Sequence, residues 1–291
     1  MKRSLLLTAG LLGAALAFSQ TPHTLLWRIT GKGNAAPSYL FGTMHILCAE
    51  DAVLSDSLKA AIAAVDEVYF EIDLSDSSGM LSALKYLWMN DGKKLSDLLK
   101  PSDYNRVRNY FTAHESMVPF GILERFKPML ISSLIEEQGL DCSTTDGMEL
   151  QIKKEMQEKT PAKPIKGLET AEFQAGLFDS IPYRRQAKEL VEYIDSADQN
   201  KKITRRLADL YRKQNLDGIE ALSEKDDPGM DKYMDLLLYN RNRKWAKALD
   251  SLLPAKSLLI AVGAGHLPGK KGVIALLKKE GFTVEPVMDS K

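Results

Sequence analysis

Apolar and polar positions along the chain set out strands at both ends and helices between them. Leu25 to Ile29 is apolar, Gly31-Lys32-Gly33-Asn34 supplies turn chemistry, and Ser38 to Phe41 is a second short run, a pattern that predicts a β-hairpin. Ser55 stands as a cap before Leu58, Ala61, Ile62 and Val65, which fall at helical spacing. Glu67 to Asp73 alternates as a strand does, with Val68, Phe70 and Ile72 on one face and Tyr69, Glu71 and Asp73 on the other. From 80 to 140 the period is helical, around Leu81 to Trp88, Asp103 to Phe111 and Pro128 to Glu137. Thr145 to Glu158 reads as one more helix, broken at Pro161, and Lys163 to Leu168 as a short strand.

Residues 170 to 253 carry helical spacing only, as in Leu190, Val191 and Ile194, then Leu207, Leu210 and Tyr211, then Leu237, Leu238 and Trp245. Asp226-Asp227-Pro228-Gly229 reads as a loop between two of these helices. Ser257 to Val262 is continuously apolar, as a strand covered on both faces must be. A helix at Val273 to Lys279 and a strand at Phe282 to Val287 close the chain. The fold class expected is α/β: a central mixed sheet built from both ends of the chain, flanked by helices, with a helical insertion at about 175–253 across one edge.

The N-terminus changes the picture of where the chain works. Lys2 and Arg3 precede a 14-residue apolar run, Leu5 to Phe18, with small residues at its end, Ala17 and Ser19. That is the layout of a cleaved signal peptide over 1–19. The run is too short for the roughly 20 residues of a membrane span, and no later apolar run is long enough either. Residues 20–291 are then one exported domain, periplasmic or secreted. Removing Lys2 and Arg3 from 39 basic residues leaves 37 against 39 acidic ones. That balance, without a basic stripe, argues against nucleic acid as a partner. Cys48 and Cys142 are the two cysteines, and an oxidising compartment favours a disulfide between them.

Candidate chemistry gathers at strand ends. Gly-x-x-His occurs twice after a strand, as Gly42-Thr43-Met44-His45 and Gly263-Ala264-Gly265-His266. Glycine lets backbone turn or approach a ligand closely, and α/β sheets bind ligands at the carboxyl ends of their strands. His23 and His114 lack such a setting. Glu71 and Asp73 end a third strand, and a carboxylate there, with two imidazoles, would complete a donor set suited to zinc, manganese or iron. Glu169 follows a fourth strand as a further ligand or a general base. Several familiar sites are excluded: Val118 stands where a His-Glu-x-x-His helix beginning at His114 needs its second histidine, no Gly-x-Ser-x-Gly elbow occurs, and Gly263, Gly265 and Gly269 are mis-spaced for dinucleotide binding.

Five segments together resemble the TraB/GumN family, which includes the Tiki metalloproteases. They are LFGTMH (Leu40 to His45), FEID (Phe70 to Asp73), GLETAEFQ (Gly167 to Gln174), Arg241-Asn242 with Trp245-Ala246, and the closing segment Ala261 to Val287. The resemblance implies a fold related to the erythromycin-esterase and heme-binding ChaN-like proteins. It also implies a site of His45, Glu71 and His266 around a divalent metal (Mn, Zn or Co), with a peptide as substrate. By the same resemblance Arg241 and Asn242 reach the site from the helical insertion, Arg241 as an electrostatic clamp and Asn242 with Gly42, Gly263 and Gly265 on the substrate side. Gly265 directly before His266 is a departure from the pattern. Two functions fit: a metal-dependent, peptidase-like hydrolase with Glu169 as base, or a regulatory protein that sequesters a peptide, a metal or heme in the same cleft without turnover.

Overall fold

The computed structural model describes residues 22–34, 36–114, 118–137, 139–158, 162–225 and 231–289. The expected signal peptide, the break at Pro161 and the loop Asp226-Asp227-Pro228-Gly229 fall outside them. The alternating and apolar runs become the strands β1 (Leu26–Thr30), β2 (Ser38–Thr43), β3 (Leu47–Cys48), β4 (Glu67–Ile72), β5 (Thr145–Asp146), β6 (Ile165–Glu169), β7 (Leu258–Gly263) and β8 (Thr283–Pro286). Six of them form one mixed sheet in the order β6-β4-β7-β2-β1-β8. β1 and β2 are the antiparallel hairpin, and β8 pairs antiparallel with β1. β7 pairs in parallel with both β2 and β4, and β4 in parallel with β6. The last strands of the chain thus close a sheet begun by the first, the arrangement expected from the sequence.

Central position explains composition. Leu258, Leu259, Ile260, Ala261 and Val262 of β7 are all essentially inaccessible to solvent, because neighbours flank that strand on both edges and helices cover both faces. Around it lies the main core, in which Ile29, Leu40, Val68 and Phe70 meet the helical residues Leu58, Ile62, Ile152, Trp245, Leu249 and Leu277. A second hydrophobic cluster has no strand in it. Leu95, Val107, Phe111, Leu123, Ile131 and Ile135 pack there on Ala187, Leu190 and Val191, joining helices from two separate stretches of the chain.

Three local features differ from the expectation. Thr145 to Glu158 is not one helix: Thr145–Asp146 is β5, paired antiparallel with β3, and the helix is Met148–Gln157 with Gly147 at its N-cap. The cause is non-local, since Cys48 and Cys142 are joined in a disulfide spanning 94 residues that holds the two short strands together. The segment expected as a helix around Leu81 to Trp88 is a short helix, Ser77–Ala83, followed by a 3₁₀ turn, Leu84–Leu87. A π-helical turn, Asp235–Tyr239, leads directly into the helix Asn240–Leu252. Among the described residues no helix is long and apolar enough to cross a membrane. The disulfide fits an oxidising, extracellular environment.

Candidate functional site

The four parallel strands end at one edge of the sheet, and each delivers a polar residue there. Register places Thr43 of β2 opposite Gly263 of β7, and Glu169 of β6 opposite Ile72 of β4, beside Glu71. Beyond β7 a 3₁₀ turn, Ala264–His266, folds the imidazole of His266 back under the helix Asn240–Leu252, where it is 5% exposed. Beyond β2 the chain carries His45 outward, with 65% of its side chain exposed.

Neither motif glycine has the left-handed backbone that the sequence allowed for. Gly263 has φ −49°, and Gly42 is absent from the positive-φ residues. Their role is close approach. A Cβ on Gly42 would stand 3.1 Å from Cα of Ala264, so the two motifs pack backbone to backbone. A Cβ on Gly263 would meet Glu71 Oε1 at 3.2 Å, His266 Cδ2 at 3.5 Å and His45 Nε2 at 3.9 Å. His45, Glu71 and His266 therefore surround one point. Gly265 has open space beside it.

The inner part of the site is a buried charge network. Arg241, 8% exposed, donates through Nη2 to Glu71 Oε2 at 2.6 Å and through Nε to Glu169 Oε1 at 2.9 Å; Nη2 also pairs with Glu169. Its Nη1 donates to the carbonyl of Leu237, in the π-helical turn, at 2.8 Å and lies 3.3 Å from His266 Nε2. The π turn stands just before Arg241, in keeping with the frequency of such turns at functional sites. Gln174 Nε2 donates to Glu71 Oε2 at 2.8 Å, and the backbone N–H of Gly263 to Glu71 Oε1 at 2.8 Å. Trp245 Nε1 donates to Glu169 Oε2 at 3.3 Å, and its ring lies 4.7 Å under the Arg241 guanidinium and 4.5 Å from His266.

These contacts set the protonation of each group. Burial opposes the charge on Glu71, but His266 where acid protonates it, the positive Arg241 and His45, and the Gly263 N–H outweigh it and hold the carboxyl at about 2. Burial raises Glu169, and the neighbouring Glu71 charge adds to this, against the pull of Arg241. Burial pushes His266 down to about 3, with Arg241 and His45 adding to it, so its ring is neutral. Its tautomer follows from Asn242: Nδ2 donates to the carbonyls of His266 and Lys271 at 3.3 and 3.0 Å, so Oδ1 faces His266 Nδ1 at 2.5 Å. The proton sits on Nδ1, and Nε2 keeps its lone pair. His45 is the opposite case. Its Nδ1 lies 2.7 Å from Glu149 Oε1, and the adjoining carboxylate pushes the imidazole up to about 9.

The donor atoms suit a divalent cation in kind. Both imidazoles are held through Nδ1 by an outer partner, Asn242 for His266 and Glu149 for His45, the usual support of a metal-bound histidine. Glu71 Oε1 is 3.6 Å from His266 Nε2. Among the described residues no three His, Cys, Asp or Glu side chains are drawn together into a ligand shell. Glu149, Gln174 and Trp245 are the neighbours that the sequence did not single out by role. Gln174 and Trp245 lie within segments that carry the resemblance, whereas nothing local marks Glu149. His23 and His114 are exposed, the latter stacked on Tyr110 at 4.2 Å.

The chain is 23% identical to metalloprotease TIKI2 of Danio rerio over 90% of its own length and 61% of the relative's. It is 25% identical to the metalloprotease TIKI homolog of Amphimedon queenslandica, covering 91% and 61% of the two chains. With Homo sapiens metalloprotease TIKI1 the identity is 23%, over 90% and 62%. The chain spans about three fifths of the length of these curated relatives. No solved structure matches it significantly. Residues 25–286 match the TraB/PrgY/gumN family as a whole, from the hairpin to the last strand, and the chain belongs to that family.

Proposed function

We propose that this protein is a metal-dependent hydrolase of peptide bonds, exported after removal of residues 1–19, with His45, His266 and Glu71 as ligands of a divalent ion (manganese, zinc or cobalt). One observation carries the reading: both imidazoles are anchored through Nδ1 and present Nε2 near Glu71 and the Gly263 backbone. The names of the relatives support the reaction class. When bound, such an ion would lower the pKa of a water toward about 7 and polarise a carbonyl. Asn242 fixes the His266 tautomer, Glu149 orients His45, and Arg241 keeps Glu71 ionised. The sequence alone points to Glu169 as the base. We assign it instead to positioning Arg241, because both its oxygens accept hydrogen bonds, from Arg241 and Gln174 at one and Trp245 at the other. Two cavities of about 240 and 560 Å³ both reach Gly265 and Ser223, which suits an extended substrate passing His45.

The second reading, binding of a peptide, metal or heme without turnover, is favoured by the Arg241 Nη1 already standing 3.3 Å from His266 Nε2. Metal analysis of the purified protein, then cleavage of a peptide library with and without chelator, separates the two. The hydrolase reading expects one bound divalent ion, lost in both His45→Ala and His266→Ala, and chelator-sensitive cleavage. Metal content that is unchanged in both variants sinks it.

A further inference from the structure

The open 240 Å³ cavity that His45 borders is lined by the β2–β3 turn and the helices Pro128–Glu137, Ala197–Arg212 and Leu216–Lys225. Its walls are mainly apolar, with Met44, Ile46, Leu207, Ile219 and Ala264, and hydroxyl-bearing side chains complete them. One carboxylate, Glu136, lines it. Other acidic side chains nearby are matched: Glu71 and Glu169 by Arg241, Glu149 by His45, Glu137 by the Thr145 hydroxyl, Asp141 by Arg205 and Lys201. Glu136 has no ion pair or side-chain hydrogen bond among the described residues, and burial alone moves its carboxyl, upward. The group that feels its charge is Tyr193, whose phenol is raised to about 12, first by burial and then by Glu136.

We propose that this cavity is a specificity pocket for a lysine or arginine side chain of the substrate, with Glu136 as its counter-ion. A half-buried carboxylate without a partner is costly, and a cation brought by a ligand supplies the missing one. Lysine and arginine present that cation on a long apolar stem, which Met44, Ile46, Leu207 and Ile219 cover. Because His45 and Gly265 line the same cavity, the backbone bearing that side chain lies next to the proposed metal-binding residues. The assignment of a peptide substrate rests on the hydrolase reading; the cationic pocket does not.

The test measures binding apart from turnover. Labelled alanine-based hexapeptides with lysine, arginine, leucine or glutamate at the third position are titrated into the metal-free full chain by fluorescence anisotropy. The two basic peptides bind about 10- to 100-fold more tightly than the other two, the range of a charge-assisted hydrogen bond to a desolvated group. Glu136→Gln collapses that ratio, and Glu136→Lys turns it toward the glutamate peptide. In the unaltered protein, pentylamine displaces the lysine peptide and pentanol does not, a readout that needs no variant. Equal binding of all four peptides, a ratio that survives in Glu136→Gln, or displacement by pentanol as well as pentylamine overturns the pocket. Cleavage is scored separately. Basic preference without cleavage of any peptide removes the hydrolase reading and leaves the pocket. Chelator-sensitive cleavage with no basic preference does the reverse.

Discussion

Removing the guanidinium of Arg241 exposes what holds the site together. Arg241 lies between two buried carboxylates, Glu71 and Glu169, whose side chains are 9% and 7% exposed. In Arg241→Ala those carboxylates face each other without their shared cation. Leaving a buried charge without its partner costs about 3–5 kcal/mol near neutral pH. Glu71 is held at about 2 instead of its ordinary 4.5 by His266, Arg241, His45 and the Gly263 N–H together; at about 1.4 kcal/mol per factor of ten the whole set is worth about 3 kcal/mol, of which Arg241 supplies a part.

The sign of the pH dependence separates this account from a simple loss of packing. In the wild type, Glu71 titrates lower in the folded than in the unfolded chain. Its contribution is therefore complete above about 4.5 and lost only as pH falls through about 2. Without Arg241 the folded value of Glu71 rises, and that of Glu169, which burial already raises, rises further. The folded variant then holds more protons than the folded wild type, so it loses stability relative to the wild type as pH rises. His45, raised to about 9, is protonated in both folded proteins between about pH 5 and pH 8; Arg241 lowers it, so loss of Arg241 offsets the gap by a constant amount and leaves the slope with pH to the carboxylates. Urea unfolding of both proteins between about pH 5 and pH 8 should show a stability gap that widens toward pH 8. A gap that is constant, or that widens toward acid, refutes the electrostatic argument and leaves only lost contacts with Trp245 and Leu237.

Breaking the Cys48–Cys142 link, by Cys48→Ser with Cys142→Ser, should cost about 2–4 kcal/mol for so long a closed loop, and a melting temperature lowered by about 2–4 °C per kcal/mol reports it; coincident melts of oxidised and reduced protein contradict it. Gly263→Ala brings a Cβ to 3.2 Å from Glu71 Oε1 and 3.5 Å from His266 Cδ2, tight enough to displace them, so a loss of about 1–3 kcal/mol is expected and an unchanged melt speaks against the close approach. Glu169→Gln separates positioning from proton transfer: if Glu169 holds Arg241, kcat falls while the shape of the pH–rate profile is kept, whereas loss of the acidic limb would return Glu169 to the role of base.

The sequence carries burial better than it carries partnership. β7 is legible because a strand with neighbours on both edges and helices on both faces has to be apolar throughout, and the β1–β2 hairpin because its turn residues stand between two apolar runs. The two-residue strands β3 and β5 are not, since two residues have no period and their pairing depends on a disulfide across 94 residues. The positions of Glu71 and His266 at strand ends were readable, but Glu67, Glu71, Glu136, Glu149 and Glu169 all look alike as letters. What tells them apart is a neighbour far along the chain: Arg241 is 170 residues from Glu71 and 72 from Glu169, and Asn242 is 24 from His266. A carboxylate becomes an ion-pair partner, an outer support for a histidine or a lone acid in a cavity according to which distant cation the fold brings to it. Local periodicity decides that a helix buries one face, and only the assembled sheet edge decides that the buried face of Asn240–Leu252 presents Arg241, Asn242 and Trp245 to the ends of β4, β6 and β7.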